Sequence, residues 1–201
     1  MSETNGTTIQ SYEAHIQEYI DGTPQEVNGD VRSWIDATLE GLATDAKIIE
    51  VGSAFGRDAN YIESLGYSVL RTDATDGFVR LLTEQGHQAN GFNLITDDFD
   101  AQYDLVFADA VLLHFTRDEV AEATKKIHGV LTVNGLFSFS LKQGQGESWS
   151  EDKLGAPRYF CYWEQPQITE LLTSSGFSDV RVSDGGSGHN NAKWLHIIAT
   201  K

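Results

Sequence analysis

Short apolar runs rich in β-branched residues alternate along this chain with stretches whose apolar positions recur three and four apart, and those stretches repeatedly end at a glycine. The runs 47–51, 68–72, 92–96, 103–108 and 135–141 have the first pattern and predict strands, the second closing at Asp73. Between them, a helix from about Arg57 ends at Gly66, and another carries Phe78, Leu81 and Leu82 on one face before Gly86 stops it. Thr116 with Glu119 three residues on is a capping box, and Val120, Ala123, Ile127 and Val130 follow at helical spacing. About six residues separate the runs 92–96 and 103–108, too few for a crossover helix, so one helix of the series is missing.

The two ends of the chain break the alternation. A helix starting near Pro166 presents Ile168, Leu171 and Leu172 and ends at Gly176, and strands follow at about 179–183 and 192–200. Asp184-Gly185-Gly186-Ser187-Gly188 between them reads as a hairpin turn, so the sheet ends on an antiparallel pair. The first 45 residues contain no convincing strand, and Asp30 is placed to cap a helix with Trp34, Ile35, Leu39 and Leu42 on one face. Together these elements predict an α/β fold: a doubly wound, mostly parallel sheet with helices on both faces. The expected organisation is one domain over 1–201, with 1–45 as a helical cap and 46–201 as the core.

Composition narrows the partners. Thirty acidic residues against fourteen basic ones give a formal charge of −16, which repels nucleic acid over most of the surface and otherwise serves as a solvated face. Residues 1–10 are polar and no run approaches the roughly eighteen apolar residues of a membrane span, so neither export nor a membrane partner is expected. Cys161 is the one cysteine, which rules out an intramolecular disulfide and a thiolate cage and suits a cytoplasmic setting. His15, His87, His114, His128, His189 and His196 show no ligand spacing, so no metal site is expected.

Ligands of an open parallel sheet bind beyond the carboxyl ends of its strands. After the first strand stands Glu50-Val51-Gly52-Ser53-Ala54-Phe55-Gly56-Arg57-Asp58, where small residues allow a ligand to approach the backbone and a helix N-terminus aims N–H groups at it. The spacing differs from the G-x-G-x-x-G fingerprint of dinucleotide sites. Asp73 ends the second strand 21 residues beyond Gly52, where a carboxylate accepts hydrogen bonds from both hydroxyls of a ribose, so an adenosine-containing ligand is expected.

Residues 48–58, with an acidic residue two before the first glycine, resemble the first motif of class I S-adenosylmethionine-dependent methyltransferases of the small-molecule type. Asp73, the 103–106 strand followed by 108–114, and Ser175-Gly176-Phe177 stand where that family has its later motifs. The resemblance implies a seven-stranded sheet ordered 3-2-1-4-5-7-6 with the last strand antiparallel, and S-adenosyl-L-methionine as cofactor. It implies that Glu50, Gly52, Ser53, Ala54 and Gly56 border the methionine part, that Asp73 with Ala74 holds the ribose, and that Asp97 and Asp98 flank the adenine. Ala108 and Asp109 would line the methyl-donor end. Two departures stand out: Ala54 replaces the motif's middle glycine, and no Asn/Asp-Pro-Pro-Tyr/Phe follows the fourth strand. The second argues against methylation of adenine, cytosine or glutamine nitrogens.

An acceptor hydroxyl would benefit from a base, and His114 is the best-placed candidate, with packing between Leu113 and Phe115 as the competing role. Residues 143–164 read as a long loop beside the acceptor site, carrying Trp149, Arg158, Tyr159, Phe160, Tyr162 and Trp163. Tyr162 and Trp163 are candidates for enclosing the acceptor, and Lys142 and Arg158 for clamping an anionic one such as a carboxylate. Tyr12, His15 and Tyr19 resemble the helical lid that covers the cofactor in many small-molecule methyltransferases, and Tyr19 is a further candidate for binding the acceptor. The expected reaction is O- or N-methylation of a small molecule by a monomer or homodimer. Two alternatives stay open at this point: a nucleotide-dependent oxidoreductase on a related sheet, and a catalytically silent methyltransferase-like binding module.

Overall fold

A computed structural model describes residues 2–187 and 192–201. Seven strands form the main sheet: β1 (Ile48–Val51), β2 (Val69–Asp73), β3 (Ala89–Gly91), β4 (Tyr103–Ala108), β5 (Leu131–Lys142), β8 (Asp179–Ser187) and β9 (Lys193–Thr200). Their order is β3-β2-β1-β4-β5-β9-β8, and β9 runs antiparallel to both neighbours while β1 to β5 pair in parallel. This is the expected order, with β8 and β9 standing for its strands 6 and 7.

Alternation along β4 shows how the layers form. Leu105 and Phe107 join a cluster with Trp34, Ile35 and Ile62, so α3 (Gly29–Leu39) and α4 (Arg57–Ser64) cover that face. Val106 and Ala108 join Val120, Ile127, Ile168 and Leu172 on the other, under α6 (Arg117–Val130) and α7 (Gln165–Ser174). The Thr116–Glu119 capping box that starts α6 is present in both directions, as the sequence predicts. Helix α5 (Asp76–Glu84) buries Phe78 and Leu82 beside β2. Among the described residues no helix is long and apolar enough to cross a membrane.

The structure corrects several expectations. The third strand is Ala89–Gly91, not 92–96. Residues 93–97 instead form a turn in which the Asn93 carbonyl accepts from the N–H groups of Thr96 and Asp97, and the Asp97 carboxylate accepts from the Asn93 N–H at 2.9 Å. Local side-chain bonds of this kind outcompete a ladder. Asn28, not Asp30, is the N-cap of α3, and Asp30 lies in the first turn. Residues 184–187 continue β8, while Gly188 and His189 lie outside the described residues.

The expected loop 143–164 contains a hairpin, β6 (Glu147–Ser150) and β7 (Arg158–Cys161). Trp149 faces Tyr159 across it, ring centroids 5.6 Å apart, and all four residues of β7 are buried. Two short helices, α1 (Glu3–Ala14) and α2 (Ile16–Asp21), lead the chain in, and α1 packs against β7 and α5.

Candidate functional site

The turn after β1 owes its shape to backbone that only small residues tolerate. Gly52 has φ +75°, and a Cβ built there would meet Val111 Cγ2 at 2.4 Å. Ala54 at φ +48° and Gly56 at φ +84° complete the bend, and Gly56 delivers the chain into α4 as its N-cap. Ser53 stitches the turn to β2: its N–H donates to the Thr72 carbonyl at 2.8 Å, and its Oγ accepts from the Thr72 N–H at 3.2 Å.

Asp73 sits at the end of β2 beside this turn. One carboxylate oxygen accepts from the Ala54 N–H at 2.9 Å and the other from the Thr75 N–H at 2.8 Å. Burial raises its pKa, and those two backbone donors oppose the rise. Glu50 is buried at 2% exposure, and its Oε2 has no hydrogen-bond partner among the described residues. Burial, seconded by the nearby Asp58 carboxylate, pushes the Glu50 pKa upward. Arg57 ties the first turn to the one after β4, donating to both Asp58 oxygens and, at 2.9 Å, to Asp109. Ser140 Oγ donates to the other Asp109 oxygen at 2.5 Å.

Three adjoining cavities open along this edge, and Tyr19 and Ala110 belong to the walls of all three. The first, about 100 Å³, is bounded by Gly52, Ala54, Asp73, Ala74 and Asp109 and by the apolar side chains of Phe78, Phe92 and Leu94. The second, about 420 Å³, has Ser53, Phe55, Arg57 and Asp58 in its wall. The third, about 670 Å³, has Lys142, Lys153, Arg158, Phe160 and Tyr162.

At about 100 Å³ the first cavity is smaller than the roughly 300 Å³ at which ligand pockets begin, and Asn5, Thr8, Ile9 and Tyr12 of α1 form part of its wall. Polar bonds hold α1 there. Ser11 Oγ donates to the Pro157 carbonyl at 2.7 Å, Thr8 Oγ1 accepts from the Tyr159 N–H at 3.1 Å, and Glu13 accepts from the Gly77 N–H at 2.9 Å. Each such bond is worth only ~1 kcal/mol net, since water replaces it. Amides of α1 are therefore expected to exchange hydrogen well ahead of those in β4, and to slow when S-adenosylhomocysteine fills the cavity. Equal protection of α1 and β4 without ligand would contradict this lid.

His114 lies in a short 3-10 turn after β4 and is buried. Its Nδ1 is 2.7 Å from the Tyr159 carbonyl, which only accepts, so Nδ1 carries the proton and Nε2 accepts from the Tyr12 hydroxyl at 2.9 Å. Arg158 in turn donates to Tyr12 at 3.3 Å. Burial, with Arg158 and Lys142 adding to it, pulls the His114 pKa down to about 3. We expect imidazole nitrogen shifts of His114 to show one neutral Nδ1–H tautomer and no titration between pH 5 and 8; a midpoint in that window would refute the geometry. A folded pKa below the unfolded value of ~6.5 means that His114's contribution to stability is complete above pH ~6.5 and is lost as pH falls toward 3.

Of the residues singled out in the sequence, Gly52, Ala54, Asp73, Ala74, Asp109, His114, Tyr19, Lys142, Arg158 and Tyr162 line one of these cavities. Ser53 lines the second, whereas Glu50, Gly56 and Ala108 shape the turns from behind without facing a cavity. Asp97 and Asp98 are not at the site: Asp97 is spent on its own turn, and Asp98 is 96% exposed, 3.9 Å from Lys126. Phe92 and Leu94, after the end of β3, line the first cavity. Trp163 is buried with Arg117 4.4 Å over its ring, and does not reach the third cavity. Lys153 does, although no sequence pattern singles it out.

Residues 49–139 match the family model described as a methyltransferase domain. No curated protein matches the chain at the level of sequence. Among solved structures, the chain resembles the Burkholderia thailandensis 1,6-didemethyltoxoflavin N1-methyltransferase bound to 1,6-didemethyltoxoflavin and S-adenosylhomocysteine. That likeness has TM-score 0.75 and 19% identity, covering 100% of this chain and 91% of that one. It also resembles the DhpI-SAM-HEP complex, with TM-score 0.76 and 16% identity over 99% of both chains. A third neighbour is the magnesium protoporphyrin IX methyltransferase of Synechocystis PCC 6803 with bound SAM, at TM-score 0.70 and 13% identity over 98% of both.

Proposed function

We propose that this chain is a class I S-adenosylmethionine-dependent methyltransferase, and that its acceptor is a small molecule held in the third cavity and methylated on oxygen or nitrogen. The observation that carries this reading is the shared wall: Tyr19 and Ala110 bound both the cavity beside Asp73 and the larger one beside Lys142 and Arg158. The Burkholderia neighbour, named for a small-molecule acceptor and seen with that acceptor and S-adenosylhomocysteine together, supports it.

The residues fit the cofactor. Each Asp73 oxygen accepts one backbone N–H and keeps a further lone pair for a ribose hydroxyl. Phe78, Phe92 and Leu94 offer apolar walls to a flat base, and Gly52 lines the same cavity with backbone alone. When bound, S-adenosylmethionine supplies a methyl made electrophilic by its sulfonium. The protein's part is to align an acceptor lone pair with it and to exclude water, which Tyr12 and Tyr19 accomplish from α1 and α2. With its pKa near 3 and Nε2 already engaged by Tyr12, His114 is too weak a base to deprotonate a hydroxyl. We therefore assign it to fixing Tyr12 in place, and expect an acceptor whose lone pair is free without a base.

Incubation of the protein with methyl-labelled S-adenosylmethionine and a cell extract split by size tests this. Label is expected in a low-mass species that chromatography separates from the cofactor. New label confined to macromolecules, or found in no species but the cofactor while the cofactor binds, would contradict the proposal.

A further inference from the structure

Three of the chain's fourteen basic residues gather around the third cavity of a protein whose formal charge is −16. Lys142 comes from β5, Lys153 from the tip of the β6–β7 hairpin and Arg158 from the start of β7. Among the described residues, none of them forms an ion pair. Asp152 is the one carboxylate in that wall.

Their contacts leave donors to spare. Lys142 Nζ lies 3.9 Å over the Phe160 ring with no hydrogen bond among the described residues, and the Arg158 guanidinium shares that ring at 5.2 Å. Lys153 Nζ donates to Thr23 Oγ1 at 2.6 Å and lies 4.0 Å from the Tyr19 ring centre. Arg158 donates to Tyr12 and to the Asp152 carbonyl, but its buried Nε has no partner. With Asp152 as the one carboxylate against three cations, the like charges raise the free energy of the site, and a bound anion lowers it.

We propose that the acceptor carries an oxyacid group, a carboxylate, phosphate or phosphonate, received by Lys142, Lys153 and Arg158; this rests on the third cavity being the acceptor site. An ionised oxyacid also has oxygen lone pairs available without a base, which agrees with the neutral, engaged His114.

The protonation of the cluster sets a pH limit. Burial first, then Arg158, Arg57 and Lys142, bring the Lys153 pKa down to about 8. Lys142 is also lowered, by burial and then Arg158, with Asp152 opposing. The other groups facing the cluster, Tyr12, Tyr19 and His114, are uncharged in this range. Affinity for a carboxylate, which stays ionised near neutrality, should therefore fall as pH rises through about 8.

The test is calorimetric titration of the protein, saturated with S-adenosylhomocysteine, with ethylphosphonate, propionate and neutral propionamide. One or both anions should bind at least tenfold tighter than the amide. Lys153→Gln and Lys142→Gln should each weaken the anions about fivefold to tenfold while leaving propionamide unchanged, with circular dichroism confirming the fold. Which anion wins tells a phosphorus oxyacid from a carboxylate. Equal binding of the amide, no binding of either anion, or variants that bind the anions as wild type does would overturn the proposal and leave the methyltransferase reading standing. Failure of the wild type to take up S-adenosylhomocysteine would overturn the premise, and the proposal with it.

Discussion

Asp73→Ala is expected to weaken S-adenosylhomocysteine binding at least ~100-fold, because the two hydrogen bonds proposed from ribose hydroxyls to this carboxylate, each worth about 1.5–3 kcal/mol, would vanish together. The same change releases the Ala54 and Thr75 N–H groups that the carboxylate now accepts from, so the turn after β1 loses its anchor to β2. A stability loss of about 1–3 kcal/mol should accompany the loss of affinity. Asp73→Asn separates the two effects. It keeps the volume but turns one acceptor oxygen into a donor facing a backbone N–H, so affinity should still fall while stability falls less than with alanine. Calorimetry on variants shown to be folded by circular dichroism measures both. A folded Asp73→Ala protein within threefold of wild-type affinity would remove the ribose role from this residue.

Gly52→Ala carries the second large effect, for two reasons that can be measured apart. At φ +75° an L-residue is strained, and the new Cβ falls 2.4 Å from Val111 Cγ2. Strain costs about 1 kcal/mol and overpacking a further 1–3 kcal/mol, so urea unfolding should show a loss of about 2–4 kcal/mol. Removing the obstructing methyls with Val111→Ala should return the overpacking part and leave the strain. Gly66 provides the comparison: it has φ +96° with nothing within 4 Å of where a Cβ would stand, so its alanine variant should lose only the strain. A Gly52→Ala protein no less stable than Gly66→Ala would show that the close approach to Val111 does not matter.

What can be read from sequence follows physical range. The strands β1, β2 and β4, the glycine turn and Asp73 are legible because each is set by its own residues: a buried apolar run, then small residues where the backbone bends. The third strand is misplaced by the pattern because Ala89–Gly91 consists of weak strand formers held in the sheet by pairing with β2, whereas 92–96 looks apolar enough for a strand but folds into a turn closed by Asp97. With the strand placed there, the residues just after it are Asp97 and Asp98, whereas Phe92 and Leu94 are the ones that line the first cavity.

The acceptor side is less legible for a different reason. Lys142, Lys153 and Arg158 are scattered over two strands and a hairpin tip, and only the β6–β7 hairpin brings them around one cavity. Lys153 sits at φ +76° in that tip, where no periodicity marks it. Trp163, beside Tyr162 in sequence, faces away because neighbouring residues of an extended segment point to opposite sides. Tyr12 matters through His114 and Arg158, partners more than a hundred residues distant.

The functional assignment depends on the cavity between Gly52 and Asp73 taking the nucleoside of S-adenosylmethionine. Calorimetric titration of the wild-type protein with S-adenosylmethionine, S-adenosylhomocysteine and NADH is the decisive test. Micromolar binding of the first two, saturating at one equivalent per chain, is expected, with no heat from NADH. Binding of NADH alone, or no binding of either sulfur ligand by a folded protein, would contradict the assignment.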